Sequence, residues 1–238
     1  MRVSRMRLGS GMLQTRSVAV PVRWSLSVLG VVCAAMISVP PAGAEPPPVS
    51  PQARAAGLVD VRSIVPDARI DLRYATTNNF VGVALYPAEA RCLVHESLAG
   101  GLEIAATKFR EQGLRLVFWD CYRPHDVQVR MFEAVPNPNW VARPSEFARS
   151  HEAGRSVDVT LADGHYGWLV DMGTDFDDFS PRSLAYATED VTPEQQANRE
   201  VLRRGMEAGG FAVYPGEWWH FDGPGANEPR PILDVPVA

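Results

Sequence analysis

His151 and Asp158 stand seven residues apart in the segment Ser150-His151-Glu152-Ala153-Gly154-Arg155-Ser156-Val157-Asp158-Val159-Thr160-Leu161. The second half alternates. Val157, Val159 and Leu161 face one way and Ser156, Asp158 and Thr160 the other, as on a strand with one face in a core. A tight turn at Gly154 would fold His151 back beside Asp158, because glycine tolerates positive φ. An imidazole and a carboxylate placed together can bind zinc. A second segment, Glu217-Trp218-Trp219-His220-Phe221-Asp222, offers another histidine and another acid. In one continuous strand Glu217 and His220 would fall on opposite faces, since their separation is odd. Both reach one metal if the chain bends near Trp218 or if the strand begins after Glu217, and Pro215-Gly216 just upstream permits this. The site so assembled is His151, Asp158 and His220 on one Zn2+, with water in the open fourth position and Glu217 as its base. Three protein ligands plus water is the pattern of catalytic zinc, which lowers the pKa of water to ~7. Without a metal the same side chains would be ordinary hydrogen-bonding groups, and Glu217 an acceptor for a backbone amide. His95, His125 and His165 lack a ligand partner in sequence and are read as ordinary.

The elements that must position these residues can be read from periodicity. Ala68 to Ala75 alternates, with Ile70, Leu72 and Tyr74 on one side, and reads as a strand. His95 to Gln112 carries Leu98, Leu102, Ala105, Ala106 and Phe109 at helical spacing, with Gly113 as its stop. Leu114 to Trp119 is a continuous apolar strand, Asp126 to Ala134 a short helix and Arg155 to Leu161 a strand. Pro193 to Ala208 is a helix with Thr192 as its cap, proline at its first position and Gly209-Gly210 at its end. Phe211–Val213 and Trp218–Phe221 read as short final strands. Strands and helices do not alternate regularly. The expected architecture is α+β, a single domain with a mainly antiparallel sheet, flanking helices and the zinc site on the sheet.

Composition is that of a globular chain: 238 residues, 46% hydrophobic and 21% charged. Arginines up to Arg23, an apolar stretch from Ser25 to Val39 and the small-residue run Ala42-Gly43-Ala44 read as a secretory signal over 1–44. The apolar stretch is short for a membrane span of ~20 residues, so no stable span is expected after cleavage, with an uncleaved N-terminal anchor as the alternative. The leader holds five arginines and no acid, so its loss takes the formal net charge from −5 to −10. A chain that acidic is a poor partner for nucleic acid or anionic lipid. Residues 45–53 are proline-rich and read as a flexible linker to a catalytic domain at 54–238. Cys33 leaves with the signal. Cys92 and Cys121 remain, an even count for an oxidising compartment, and either a Cys92–Cys121 disulfide or two buried thiols fits.

Taken together, these segments resemble the D-alanyl-D-alanine dipeptidases, the VanX-like zinc peptidases. The resemblance runs from about Val59 to Asp222. It rests on Asp71-Leu72-Arg73-Tyr74-Ala75-Thr76 with Asn79-Phe80, on Trp119-Asp120-Cys121-Tyr122-Arg123-Pro124, and on His151 with Asp158. It continues through Asp171-Met172-Gly173-Thr174 with Phe176-Asp177 and ends on Glu217-Trp218-Trp219-His220. It implies that His151, Asp158 and His220 bind zinc and that Glu217 is general base and then proton donor. It implies that Arg123 faces the scissile carbonyl, where an oxyanion develops, and that Asp177 receives the substrate ammonium, with Tyr74 lining the same pocket. From the residues alone, Arg123 could instead be a structural partner of Asp120, Asp177 a solvated loop acid and Tyr74 a packing residue. The chain departs from the family where serine commonly precedes the first histidine by two and alanine the aspartate by two; Arg149 and Ser156 stand there. Cys121 stands where a small residue is usual, and a bond to Cys92 would pin the loop carrying Arg123. The implied function is a secreted or periplasmic zinc peptidase hydrolysing D-Ala-D-Ala in peptidoglycan turnover or scavenging. A carboxypeptidase or endopeptidase acting on longer stem peptides is the alternative, and a noncatalytic cell-wall binding protein a third.

Overall fold

The computed structural model describes residues 46–238. The stretch read as a secretory signal, 1–44, and Cys33 lie outside these residues. The elements in chain order are α1 (Pro51–Ala55), β1 (Leu58–Asp60), β2 (Arg69–Ile70), β3 (Leu93–His95), α2 (Ala99–Arg110), β4 (Leu114–Asp120), α3 (His125–Ala134), β5 (Ser156–Asp163), α4 (Pro193–Ala208), β6 (Ala212–Val213) and β7 (His220–Asp222). Five strands form one sheet in the order β2-β4-β5-β7-β6, and β1 pairs with β3 in a second, two-stranded sheet. Only the β2–β4 pair is parallel; the other pairs are antiparallel. This is the expected mixed α+β domain. None of its helices, among the described residues, is long and apolar enough to cross a membrane.

Helices α2 and α4 pack against each other and cover the sheet with Leu102, Ala105, Ala106, Phe109, Leu202 and Met206. They come close because both contacts are glycine. A Cβ on Gly101 would sit 2.2 Å from the Gly209 carbonyl, and one on Gly205 would sit 2.2 Å from the Phe109 ring. Helix α4 starts as the sequence expects, with Thr192 as its cap and Pro193 at its first position, and Gln195 completes a capping box that was not expected. The helix foreseen from His95 is divided: His95 accepts from the Ser97 N–H, Glu96–Leu98 forms a 3-10 turn, and α2 proper begins at Ala99.

Three expectations need correction. The strand foreseen over Ala68–Ala75 is only Arg69–Ile70, and Arg73–Ala75 is a 3-10 turn. Tertiary bonds override the alternation there. Asp71 makes the last hydrogen bond to Phe118, and the Tyr74 carbonyl accepts from both Leu85 and Tyr86. The 45–53 segment is not a free linker within its described part. Ser50 caps α1, and the carbonyls of Pro47 and Pro48 accept from Arg91, which also pairs with Asp60. Finally, the polar face of β5 is not open to water. Ser156, Asp158 and Thr160 are as buried as Val157, Val159 and Leu161.

The loop from Asp171 to Leu184 is strapped down at both ends by α4. Gln195 and Asn198 donate to the side chain and carbonyl of Asp171. Arg199, buried with no ion pair among the described residues, donates to the carbonyls of Met172, Arg182 and Leu184. Its guanidinium also lies over the Trp218 ring, and the Trp218 indole N–H donates to Thr174 at 2.7 Å. Helix α4 therefore ties this strap to the turn that precedes β7.

Candidate metal centre and active site

Asp158 and His220 are direct cross-strand partners on β5 and β7, which places their side chains on one face. The strand begins at His220, so Glu217 belongs to the preceding turn and the odd-separation conflict disappears. His151 returns to this face through a 3-10 turn closed by Gly154 at φ 64°. A side chain there would be strained by φ and would also meet Leu58 at 2.7 Å. The turn thus requires glycine twice over.

Donor atoms of His151, Asp158 and His220 all lie within 4.8 Å of one another. His151 Nε2 is 3.2 Å from Asp158 Oδ1 and 3.1 Å from His220 Nδ1, and His220 Nδ1 is 3.0 Å from the same carboxylate oxygen. The outer nitrogens are also engaged. His151 Nδ1 donates to the Cys121 carbonyl at 2.7 Å, and His220 Nε2 faces Asp222 Oδ1 at 3.1 Å. Such bonds fix each tautomer and aim the other nitrogen's lone pair inward. Asp222 is itself held by Ser156 Oγ, which accepts from Ser150. Burial would lower the pKa of His220, but hydrogen bonds to Asp158 and Asp222 raise it to about 10. Asp158 is resisted by burial yet held below the usual carboxylate range by His151 and His220. The cluster is therefore built to hold positive charge. Two imidazole nitrogens and a carboxylate oxygen with oriented second partners fit zinc.

Glu217 stands beside this centre, with Oε2 4.0 Å from His220 Nδ1. Its carboxylate makes no hydrogen bond to a backbone amide among the described residues, contrary to the bland alternative. Burial raises its pKa, and the Asp158 charge adds to that against the neighbouring histidines. Arg123 is bonded to Asp120, as its structural reading has it, and also lines the cleft. Its Nε and Nη2 donate to buried Asp120 at 3.0 and 2.7 Å, and Nη1 donates to Gln128 at 2.7 Å. Three of five N–H groups are used, which leaves two for the cleft it lines. Tyr86 donates to the same Asp120 at 2.6 Å. The Tyr74 hydroxyl donates to Asp177 at 3.0 Å, and the Arg123 guanidinium lies over the Tyr74 ring. Burial, then the Asp158 charge, pushes Asp177 well above the usual carboxylate range. Asp177 sits at φ 57° on the strap, an uncommon backbone state for a non-glycine residue. Tyr74, Arg123, Asp177, Glu217 and the three candidate ligands line one cavity of about 380 Å³. Cys92 and Cys121 are joined by a disulfide between the residue before β3 and the residue after β4.

A family model described as D-ala-D-ala dipeptidase matches residues 54–238. The chain belongs to the D-Ala-D-Ala dipeptidase family. The D-alanyl-D-alanine dipeptidase of Escherichia coli (strain K12) is 40% identical over 169 residues, covering 71% of this chain and 86% of that protein. Those of Enterococcus faecium and Streptomyces coelicolor are 32% and 31% identical, covering 76% and 75% of this chain and 98% and 96% of theirs. Among solved structures, the LdcB LD-carboxypeptidase is a distant likeness, with TM-score 0.37 and 18% identity over 57% of this chain and 61% of that one. Members of the D-Ala-D-Ala dipeptidase family are zinc peptidases, and the chain is a zinc-dependent hydrolase.

The D-Ala-D-Ala dipeptidase cleft also contains residues that motif spacing did not single out. Asp222 lies two residues after His220 and Ser156 two before Asp158, so strand periodicity alone puts them on the ligand face. Gln128 could not be found this way, because its bond to Arg123 depends on how α3 leaves the loop.

Proposed function

We propose that the protein hydrolyses D-alanyl-D-alanine to two D-alanines. The observation that carries this is one cavity in which the Tyr74–Asp177 pair and the Glu217 carboxylate flank the His151/Asp158/His220 cluster. Bound there, zinc would supply Lewis-acid polarisation of the scissile carbonyl and a more acidic water. Asp177, with Tyr74, accepts the substrate ammonium and so selects a free N-terminus. Glu217, partly withdrawn from solvent, takes the proton of the attacking water and returns it to the leaving amine. The free N–H groups of Arg123 face the oxygen on which negative charge develops, and Asp120 holds that guanidinium in place. The Cys121 carbonyl and Asp222 engage the outer nitrogens of His151 and His220, which turns their inner nitrogens towards the metal position.

The compartment belongs to the same proposal. An exported enzyme would meet D-Ala-D-Ala from wall turnover or scavenging, and the Cys92–Cys121 disulfide supports an oxidising location. A second reading, cleavage of longer stem peptides, is favoured by the exposed Trp140 and Phe147 that also line the cleft. An intact Glu217 speaks against a noncatalytic binding protein.

D-Alanine release from free D-Ala-D-Ala and from an N-acylated peptide ending in D-Ala-D-Ala separates these readings. Cleavage of the free dipeptide alone is expected. Cleavage of the acylated peptide would make the enzyme a carboxypeptidase and remove the ammonium role of Asp177.

A further inference from the structure

The charges of the cleft divide by side. Asp177 meets Tyr74, which follows β2 at one edge of the five-stranded sheet. Arg149 enters on a different segment, one bonded to the chain after β7. Ala148 exchanges hydrogen bonds with Arg230 at 2.9 and 3.0 Å, and Ser150 donates to Ala226 at 2.8 Å, both partners lying after β7. Ser150, the next residue, has its hydroxyl 3.4 Å from His220 Nε2 on β7.

The backbone around Arg149 is thus fixed, while its head is not. Arg149 is exposed and lines the cavity, and its guanidinium has no ion pair or hydrogen bond among the described residues. The other cationic heads of the cleft are occupied. Arg123 is bonded to Asp120 and Gln128, and Arg143 rests over the Phe132 ring at 5.2 Å. The acids are spoken for as well. Glu152 is bonded to His125, Asp222 to His220 and Ser156, and Asp177 to Tyr74.

A free dipeptide is a zwitterion whose two charges flank the bond to be cut. If its ammonium is directed to the β2 side, its carboxylate runs towards the β7 side. We propose that Arg149 receives the C-terminal carboxylate of the substrate, so that the enzyme reads the free C-terminus with an arginine as it reads the free N-terminus with an acid. This rests on the dipeptidase reading above. A guanidinium suits the task because its planar fork matches a carboxylate with two parallel N–H bonds.

The test compares the zinc-loaded wild type with Arg149→Ala and Arg149→Lys on D-Ala-D-Ala and on its C-terminal amide. A charge-assisted contact to substrate made equally in ground and transition states appears in KM, not kcat. Arg149→Ala should raise KM for the free dipeptide on the order of tenfold, with kcat changed by less than about twofold. It should leave KM for the amide nearly unchanged, and Arg149→Lys should recover part of the loss. Zinc content and Tm should match the wild type, because no internal bond is removed. Equal loss on both substrates, or no loss on the free dipeptide by an active enzyme, overturns the assignment. A zinc-bound wild type that cleaves neither substrate overturns the dipeptidase reading and this subsite with it.

Discussion

Removal of the Cys92–Cys121 bond by a double Cys→Ala substitution should destabilise the protein and loosen its metal at the same time. The two cysteines are 29 residues apart in sequence. Closing a loop of that length restricts the unfolded chain by about 12 cal/mol/K, or about 3.6 kcal/mol at 25 °C. For a domain of this size that corresponds to a fall in Tm of roughly 7–14 °C. The link to the metal comes from what the bond anchors. The Cys121 carbonyl accepts from His151 Nδ1, Tyr122 donates to Leu93 beside Cys92, and Arg123 donates to the His151 carbonyl. Loss of an outer partner of a metal-binding histidine weakens affinity by roughly 10–100-fold. The assay is urea unfolding of the zinc-free proteins, which removes the contribution of bound metal, followed by zinc Kd from chelator competition. A stability change under about 1 kcal/mol would refute the loop argument. A large stability change with unaltered zinc Kd would refute the coupling to His151.

Glu217→Gln should retain one zinc per chain and lose about 10²–10⁴ in kcat, the range for a general base; near-normal turnover would overturn the base assignment. His220→Ala should weaken zinc binding sharply, and an unchanged Kd would remove it from the ligand set. Arg199→Met strands three carbonyls of the strap and should cost about 3 kcal/mol, with KM for the dipeptide rising because Asp177 is carried by that strap; thermal unfolding and steady-state kinetics report both. The pH dependence of Asp177 has a definite sign. Its pKa is raised by burial, so ionising it opposes folding: the penalty is absent below the ordinary carboxylate range and grows as pH climbs towards the raised value. Asp177→Asn should therefore match the wild type in stability at acid pH and exceed it at alkaline pH, while its affinity for the dipeptide stays poor throughout. Equal stability at both extremes would show that the carboxyl is not held above its usual range.

What could be read from the sequence followed local physics. Helix α4 was legible because Thr192, Pro193 and Gly209-Gly210 mark its ends, and β5 because Val157, Val159 and Leu161 alternate with polar residues. His151 could be folded back to Asp158 from Gly154 alone. Tyr74 was misplaced on a strand because its position depends on Leu85 and Tyr86, residues whose hydrogen bonds to it are not encoded by any period. The pairing of His220 with Asp158 was similarly hidden, since a register between β5 and β7 is fixed over more than 60 residues. Arg123 appeared to offer a choice between structure and chemistry; five donors on one guanidinium allow both.

The tight meeting of α2 and α4 carries a warning for anyone altering this protein. Glycine inside a helix costs about 1 kcal/mol relative to alanine, so positions 101 and 205 look like free gains in a thermostabilisation campaign. Here even a methyl group at either one would collide with Gly209 or Phe109. The collision would be relieved by moving α4, and with it Gln195, Asn198 and Arg199. A fault introduced between two helices would thus be passed on to the strap that carries Asp177.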